Sequence, residues 1–116
     1  MSNKDPNDVH ERLTELLHYA VRELLDKNLQ EESQIPQFIE YYTTWKDQVN
    51  AELAHLSKDA PFEWEVLGAM PPIGIFRHAI NGEHNYYLNI LAERERRLRA
   101  MLIKYLRSAD GRENSV

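Results

Sequence analysis

Two residue spacings in this 116-residue chain could do chemistry. The first is Glu-x-x-His, which occurs as Glu15–His18 and again as Glu52–His55. A carboxylate and an imidazole three residues apart on one helix can share a divalent cation. Two such pairs on adjacent helices build the di-metal sites of some four-helix bundles, whose ligands project inward. Here the directions are wrong for that. At ~100° per residue, His18 points roughly 140° from the centre of the first helix's apolar stripe, and His55 roughly 120° from that of the second. The four residues read as surface side chains, with a carboxylate/His metal-binding bundle as the distant alternative. No cofactor is expected.

The second spacing is Arg77-His78 followed by His84 and Tyr86. On a continuous helix, seven residues return to nearly the same face with a drift of ~20° and a rise of ~10 Å. Arginine can grip a phosphate in two places, and histidine moves protons near neutral pH. This stretch resembles the motif of HEPN ribonucleases, small all-helical dimers. Their pattern is Arg, a polar residue, several residues, then His, often with Tyr two places on. Arg77, His78, His84 and Tyr86 fit it in turn. The resemblance implies an alternative function, a dimeric, metal-independent endoribonuclease in which an Arg/His pair acts across a dimer groove and the RNA 2′-hydroxyl is the nucleophile. The structural reading of the same residues makes His84 a half-buried histidine on the core face and Arg77 a surface charge.

Charge is divided along the chain. The net charge is −5. Residues 1–66 hold 14 acids and 6 bases, and residues 67–116 hold 5 acids and 8 bases. An acidic half repels phosphate, so general nucleic-acid binding is disfavoured outside the ribonuclease alternative, and a basic protein partner is favoured. Glu11, Glu15 and Glu23 on the first helix are candidates to meet it. The basic run Arg94, Arg96, Arg97, Arg99 spreads around its helix. Glu93 stands four before Arg97 and Glu95 four before Arg99, the order that favours ion pairs and a solvated helix face. Among the aromatics, Tyr41 and Tyr86 lie off their helices' main stripes, and Phe62 and Trp64 fall in an irregular stretch. These four are the aromatic candidates for partner contact.

The elements that must position these residues are helices. Asp5-Pro6 starts the first, and Val9, Leu13, Leu16, Leu17, Ala20, Leu24 and Leu25 recur at helical spacing until Asn28. Ser33 can cap the second, with Pro36 in its first turn. Its row Ile35, Phe38, Ile39, Tyr42, Trp45, Val49, Leu53 and Leu56 predicts a helix to about Ser57. Between Lys58 and Pro72 the period breaks, and a short helical turn or packed loop is expected. Helix resumes after Pro72 through Ile75, Phe76 and Ile80, with Asn81-Gly82 a turn signal that can break it. The last helix carries His84, Tyr87, Leu88, Leu91, Leu98, Leu102, Tyr105 and Leu106 to about Arg107.

The fold class that follows is all-α, a three- to four-helix bundle with an irregular Pro/aromatic-rich connection between helices 2 and 3. Residues 1–107 form one helical domain, and 108–116 are a polar, disordered tail. Cysteine is absent, which removes disulfides and thiolate chemistry. The N-terminal residues lack a signal peptide's apolar core, so the cytoplasm is expected, and no run is long enough to span a membrane. Trp45 sits mid-stripe and is expected in the core, whereas Trp64 is expected nearer the surface. Function reads as a small non-catalytic interaction protein, a homodimeric regulator, adaptor or inhibitor that meets a protein partner through helix faces and aromatics.

Overall fold

The computed structural model describes the backbone of residues 6–67 and 74–114, and the side chains of 7–65 and 74–105. It is all-α, with four helices and no strand among the described residues. Helix α1 is Pro6–Tyr19, continued by a π-helical segment Ala20–Leu25. A 3-10 turn, Glu32–Gln34, leads into α2, Ile35–Leu56. Helix α3 is the short Ala60–Leu67, and α4 is Gly82–Asn114.

The apolar row of α1 is the buried row: Val9, Leu13, Leu16, Leu17, Ala20 and Leu24 are all core. So are Ile35, Phe38, Tyr42, Trp45, Val49 and Leu53 on α2. These two stripes face each other, and α4 closes the bundle with Leu88, Leu91, Leu98, Met101 and Leu102. At the α1–α2 seam the Trp45 indole N–H donates to the Leu16 carbonyl at 2.8 Å. One turn later α1 changes to π spacing, and the Asp26 N–H reaches back five residues to the Val21 carbonyl at 2.9 Å. An extra donor inserted into the helical ladder is a recognised cause of such a local shift.

Three expectations are corrected. Among the described residues, the segment from Gly74 does not form helix before Gly82. Residues 74–76 are non-helical, Phe76–Ala79 closes a turn through the Ala79 N–H to the Phe76 carbonyl, and helix begins only after Asn81. Asn81 is the reason, because its side-chain oxygen accepts the His84 N–H at 2.9 Å and caps α4. At the other end α4 runs on to Asn114 rather than stopping near Arg107, so most of the expected tail is helical. The start of α2 is organised by Gln34, whose side-chain oxygen accepts the N–H groups of Gln30 and Glu31, while the Ser33 hydroxyl donates to Glu31 instead of capping. The Asp5 cap and the Leu106 side chain lie outside the described residues.

The irregular connection contains α3, which the sequence reads as a turn or packed loop. Ser57 Oγ accepts the Asp59 N–H at 3.2 Å and starts the chain turning. Ala60 and Trp64, four apart, then form the buried face of α3 against α2 and α4.

Candidate functional site

The Arg77–His84 pair is separated by the break in the helix. Arg77 sits exposed in the turn, while His84 lies in the first turn of α4 with 0 % exposure. The Ile80 N–H donates to His84 Nδ1 at 3.0 Å, which places the ring proton on Nε2. That Nε2 is itself enclosed by protein and has no hydrogen-bond partner. The ring packs edge-on to Phe38 at 5.0 Å between centroids and to His78 at 6.1 Å. His78 in turn donates from Nε2 to the Leu25 carbonyl at 2.6 Å; a carbonyl only accepts, so His78 carries its proton there. Burial, and then the neighbouring His78, push the His84 pKa below its ordinary value. His84 is thus a neutral core histidine, and neither nitrogen is presented to a phosphodiester. Of the four residues matching the ribonuclease pattern, only Arg77 and Tyr86 are exposed.

The Glu-x-x-His residues do not converge. Glu15, His18 and His55 are exposed and Glu52 is half-buried, and among the described residues no three His, Asp or Glu side chains come together as a metal site.

Trp64 is the main correction among the aromatic candidates. It is 0 % exposed and cannot be a contact surface in this fold. Its ring meets Trp45 edge-to-face at 5.6 Å, its N–H donates to the Arg94 carbonyl at 3.0 Å, and the Arg94 guanidinium lies 5.0 Å over its face. Arg94 is correspondingly buried, not part of a solvated stripe. Its Nε donates to the Tyr42 hydroxyl at 3.0 Å and its NH2 pairs with Glu65 at 3.1 Å. The Tyr42 pKa rises, because burial outweighs the lowering effect of Arg94. The helical ion pairs do form: Arg97 Nε meets Glu93 at 2.7 Å, and Arg99 pairs with Glu95. Yet Glu93 and Glu95 are themselves buried beneath those arginines. Burial pushes the Glu93 pKa up, and hydrogen bonds from Arg96 and Arg97 more than reverse this, holding it below its ordinary value.

The remaining candidates are exposed but dispersed. Phe62 is 73 % exposed on α3, Tyr86 59 % on α4 and Tyr41 46 % on α2. Glu11 and Glu15 share an open face of α1 with Asp8, His10 and His18. Glu15 also holds Arg12 at 3.4 Å. Glu23 is apart from them, in a groove with Tyr19 and Tyr41.

One residue that sequence reasoning placed inside a helix is the most exposed large apolar side chain described: Ile75, at 93 %. The backbone around it is fastened by two asparagines of α4. The Gly74 N–H donates to Asn89 Oδ1 at 2.8 Å, and the Gly74 carbonyl accepts from Asn85 at 2.8 Å and Asn89 at 3.0 Å. The Phe76 N–H donates to Asn85 Oδ1 at 2.9 Å. The sequence signal is Asn81, Asn85, Asn89, three asparagines at four-residue spacing on one face. Asparagine offers a donor and an acceptor together, so two of them on adjacent turns can hold an extended strand of backbone much as a neighbouring strand would.

No protein-family model, curated protein or solved structure matches this chain. No described helix is long and apolar enough to cross a membrane.

Proposed function

We propose that this chain is a small interaction protein without catalysis of its own, acting by docking on a protein partner. The observation that supports it best is Ile75, held 93 % exposed on backbone tied down by Asn85 and Asn89. A lone exposed apolar residue on slack chain is ordinary. Here the segment is already ordered, so a partner that covers Ile75 gains apolar burial without the cost of freezing the loop. Tyr86, on the same stretch of α4 as the two asparagines, supplies an exposed aromatic nearby in sequence, and such side chains are favoured interface anchors.

The simplest partner is a second copy of the chain, and the acidic balance of residues 1–66 favours a basic surface on any other. Ile75→Asp is the test, because an exposed site tolerates the change without unfolding. Static light scattering of the wild type should give more than the monomer mass, and Ile75→Asp should return it to monomer with an unchanged urea midpoint. A wild type that is monomeric and also yields no partner crosslink from a photoreactive residue at position 75 refutes the proposal.

A further inference from the structure

The segment that carries Ile75 is tied to Asn85 and Asn89 at one end and to a histidine at the other. Ile80, at that far end, donates its N–H to His84 Nδ1 at 3.0 Å. Between the two points His78 reaches across to the Leu25 carbonyl at 2.6 Å, and Phe76 and Ala79 pack on the core. His84 itself is 0 % exposed, edge-on to Phe38 at 5.0 Å and to His78 at 6.1 Å.

This site suits the neutral ring and offers nothing to the charged one. An imidazolium carries a proton on both nitrogens and accepts no hydrogen bond. A proton on Nδ1 would meet the Ile80 N–H, donor against donor, so that bond does not survive protonation. The proton on Nε2 already has no acceptor. A buried cation without an acceptor on either side is strongly disfavoured, and the ring is relieved only by reaching water. No opposite charge compensates. Among the described residues, His78 is the titratable group that bears on the ring, and it opposes the added charge. Helix α2 faces the ring with Phe38, and no carboxylate of α1, its π-helical continuation, α2 or α3 bears on it. Arg77 and Glu83, the charges flanking it in sequence, are both exposed.

We infer that His84 is an acid-sensitive latch: its protonation breaks the bond to Ile80, frees residues 77–80 and slackens the mount of Ile75, so that docking weakens as pH falls. This names the regulation of the docking surface and rests on that reading for the existence of a partner. The direction follows from which state takes the proton. Freed from its site, the ring binds a proton near its ordinary value of 6.5, while the latched ring resists it. The latched form is therefore fully favoured above that value and loses ground below it. One proton shifts the ratio of freed to latched chain by at most about tenfold per pH unit, so the device is graded and not all-or-none.

Amide hydrogen exchange on the full chain, expressed as protection factors to remove the intrinsic effect of pH, tests the latch without reference to any partner. Between pH 7.5 and 5.5 the Ile80 amide should lose about tenfold in protection, with the weak urea dependence of a local opening. The Leu91 amide, mid-helix in the core, should stay better protected and respond steeply to urea. His84→Asn keeps an acceptor near the Nδ1 position but does not titrate, so its Ile80 protection should be indifferent to pH. The wild-type series stands by itself if that variant fails to fold. Ile80 protection that is flat with pH, or equal to that of Leu91 and as steep in urea, overturns the latch even when position 75 crosslinks. The docking arm repeats the photocrosslink at position 75 at both pH values. Its yield should be lower at pH 5.5 in the wild-type background and unchanged in His84→Asn. A steady yield while Ile80 opens overturns the control over docking. No crosslink at either pH refutes the docking surface itself, and Ile80 still decides the latch.

Discussion

Trp64 is where the stability of the bundle can be tested most sharply, because its neighbour two residues back is an internal control. Trp64 is 0 % exposed and Phe62 is 73 % exposed on the same eight-residue helix. Replacing a buried Trp by Ala costs ~3–5 kcal/mol through lost burial and the cavity left behind. Trp64 should sit at the upper end. Its removal also strips an edge-to-face contact from Trp45 at 5.6 Å and the aromatic face from under Arg94 at 5.0 Å. Arg94 is 7 % exposed, so its guanidinium would lose a partner without regaining water. A domain has only about 5–15 kcal/mol in total, so Trp64→Ala should leave the protein close to unfolding. Trp64→Phe keeps a ring and loses the N–H to the Arg94 carbonyl, a cost of about 1–2 kcal/mol. Phe62→Ala should change stability by no more than ~0.5 kcal/mol. The assay is urea unfolding by far-UV circular dichroism. With a slope of ~1–3 kcal/mol per molar, the Trp64→Ala midpoint should fall by roughly 2 M. A Trp64→Ala protein that unfolds cooperatively within about 1 kcal/mol of wild type would refute the packing of α3 on α4 described here.

The protein should also lose stability in acid, in two stages. The His84 pKa is lowered from 6.5, so below that value the unfolded chain takes up a proton that the folded one resists; stability at pH 5.5 should be below that at pH 7.5, and His84→Gln should flatten the difference. The Glu93 pKa is lowered from 4.5, so its contribution is present above that value and drains away only as pH falls further, through its folded pKa. Urea midpoints across a pH series check both, and a midpoint rising between pH 7 and 5.5 would contradict the sign at His84. Asn85→Ala and Asn89→Ala should each cost about 1 kcal/mol, with faster hydrogen exchange at the Phe76 and Gly74 amides respectively; unchanged exchange at both would mean the segment is held by something other than the asparagines.

The helices and their inward faces were legible in the sequence because a helix interior has one period and burial follows it. Val9 through Leu24 and Ile35 through Leu53 needed no information beyond spacing. Periodicity fails where the partner of a side chain is remote in sequence. Trp64 lies in a stretch of two or three alternations, too short for a period, and its partners are remote: Trp45 against its ring, and Arg94, thirty residues on, over its face and at its N–H. Arg94 reads as one of a run of surface arginines because its partners, Tyr42 and Glu65, sit on other helices. The Asn81-Gly82 signal was visible and marks the true start of α4, but it competed with the apolar residues before it. Ile75, Phe76 and Ile80 look like helix because they are apolar at helical spacing. In the fold, Phe76 packs against the core, whereas Ile75 faces solvent. For the candidate sites, exposure of Tyr41 and Tyr86 followed from their lying off the apolar rows, whereas Phe62 and Trp64, in the irregular stretch, had no row to tell the exposed ring from the buried one. The grouping of Tyr41 with Tyr19 and Glu23 required the bend from α1 into α2, which no local pattern encodes.

The two largest exposures of apolar surface among the described residues, Ile75 and Phe62, both lie in the connection between α2 and α4. Both segments are tied to α4 by polar side chains. Around Ile75 the mount is Asn85 and Asn89. Around Phe62 the helix is seated by Ala60 and Trp64 in the core, and charged contacts are added to that packing: Arg94 to Glu65 at 3.1 Å, and Lys104 to Glu63 at 3.2 Å. The Arg94 pair is the more demanding, since it takes a guanidinium out of water, and apolar replacements of buried ion pairs are often no less stable. Polar contacts of this kind are directional, so they fix where a segment sits more narrowly than apolar packing does. An apolar side chain that were merely tolerated on the surface would need no such fixing. Fastening the connection at both points holds Phe62 and Ile75 at set positions along one long helix. That is the arrangement a docking surface needs, and His78 within the connection and His84 at the start of α4 are instead spent on holding the core together.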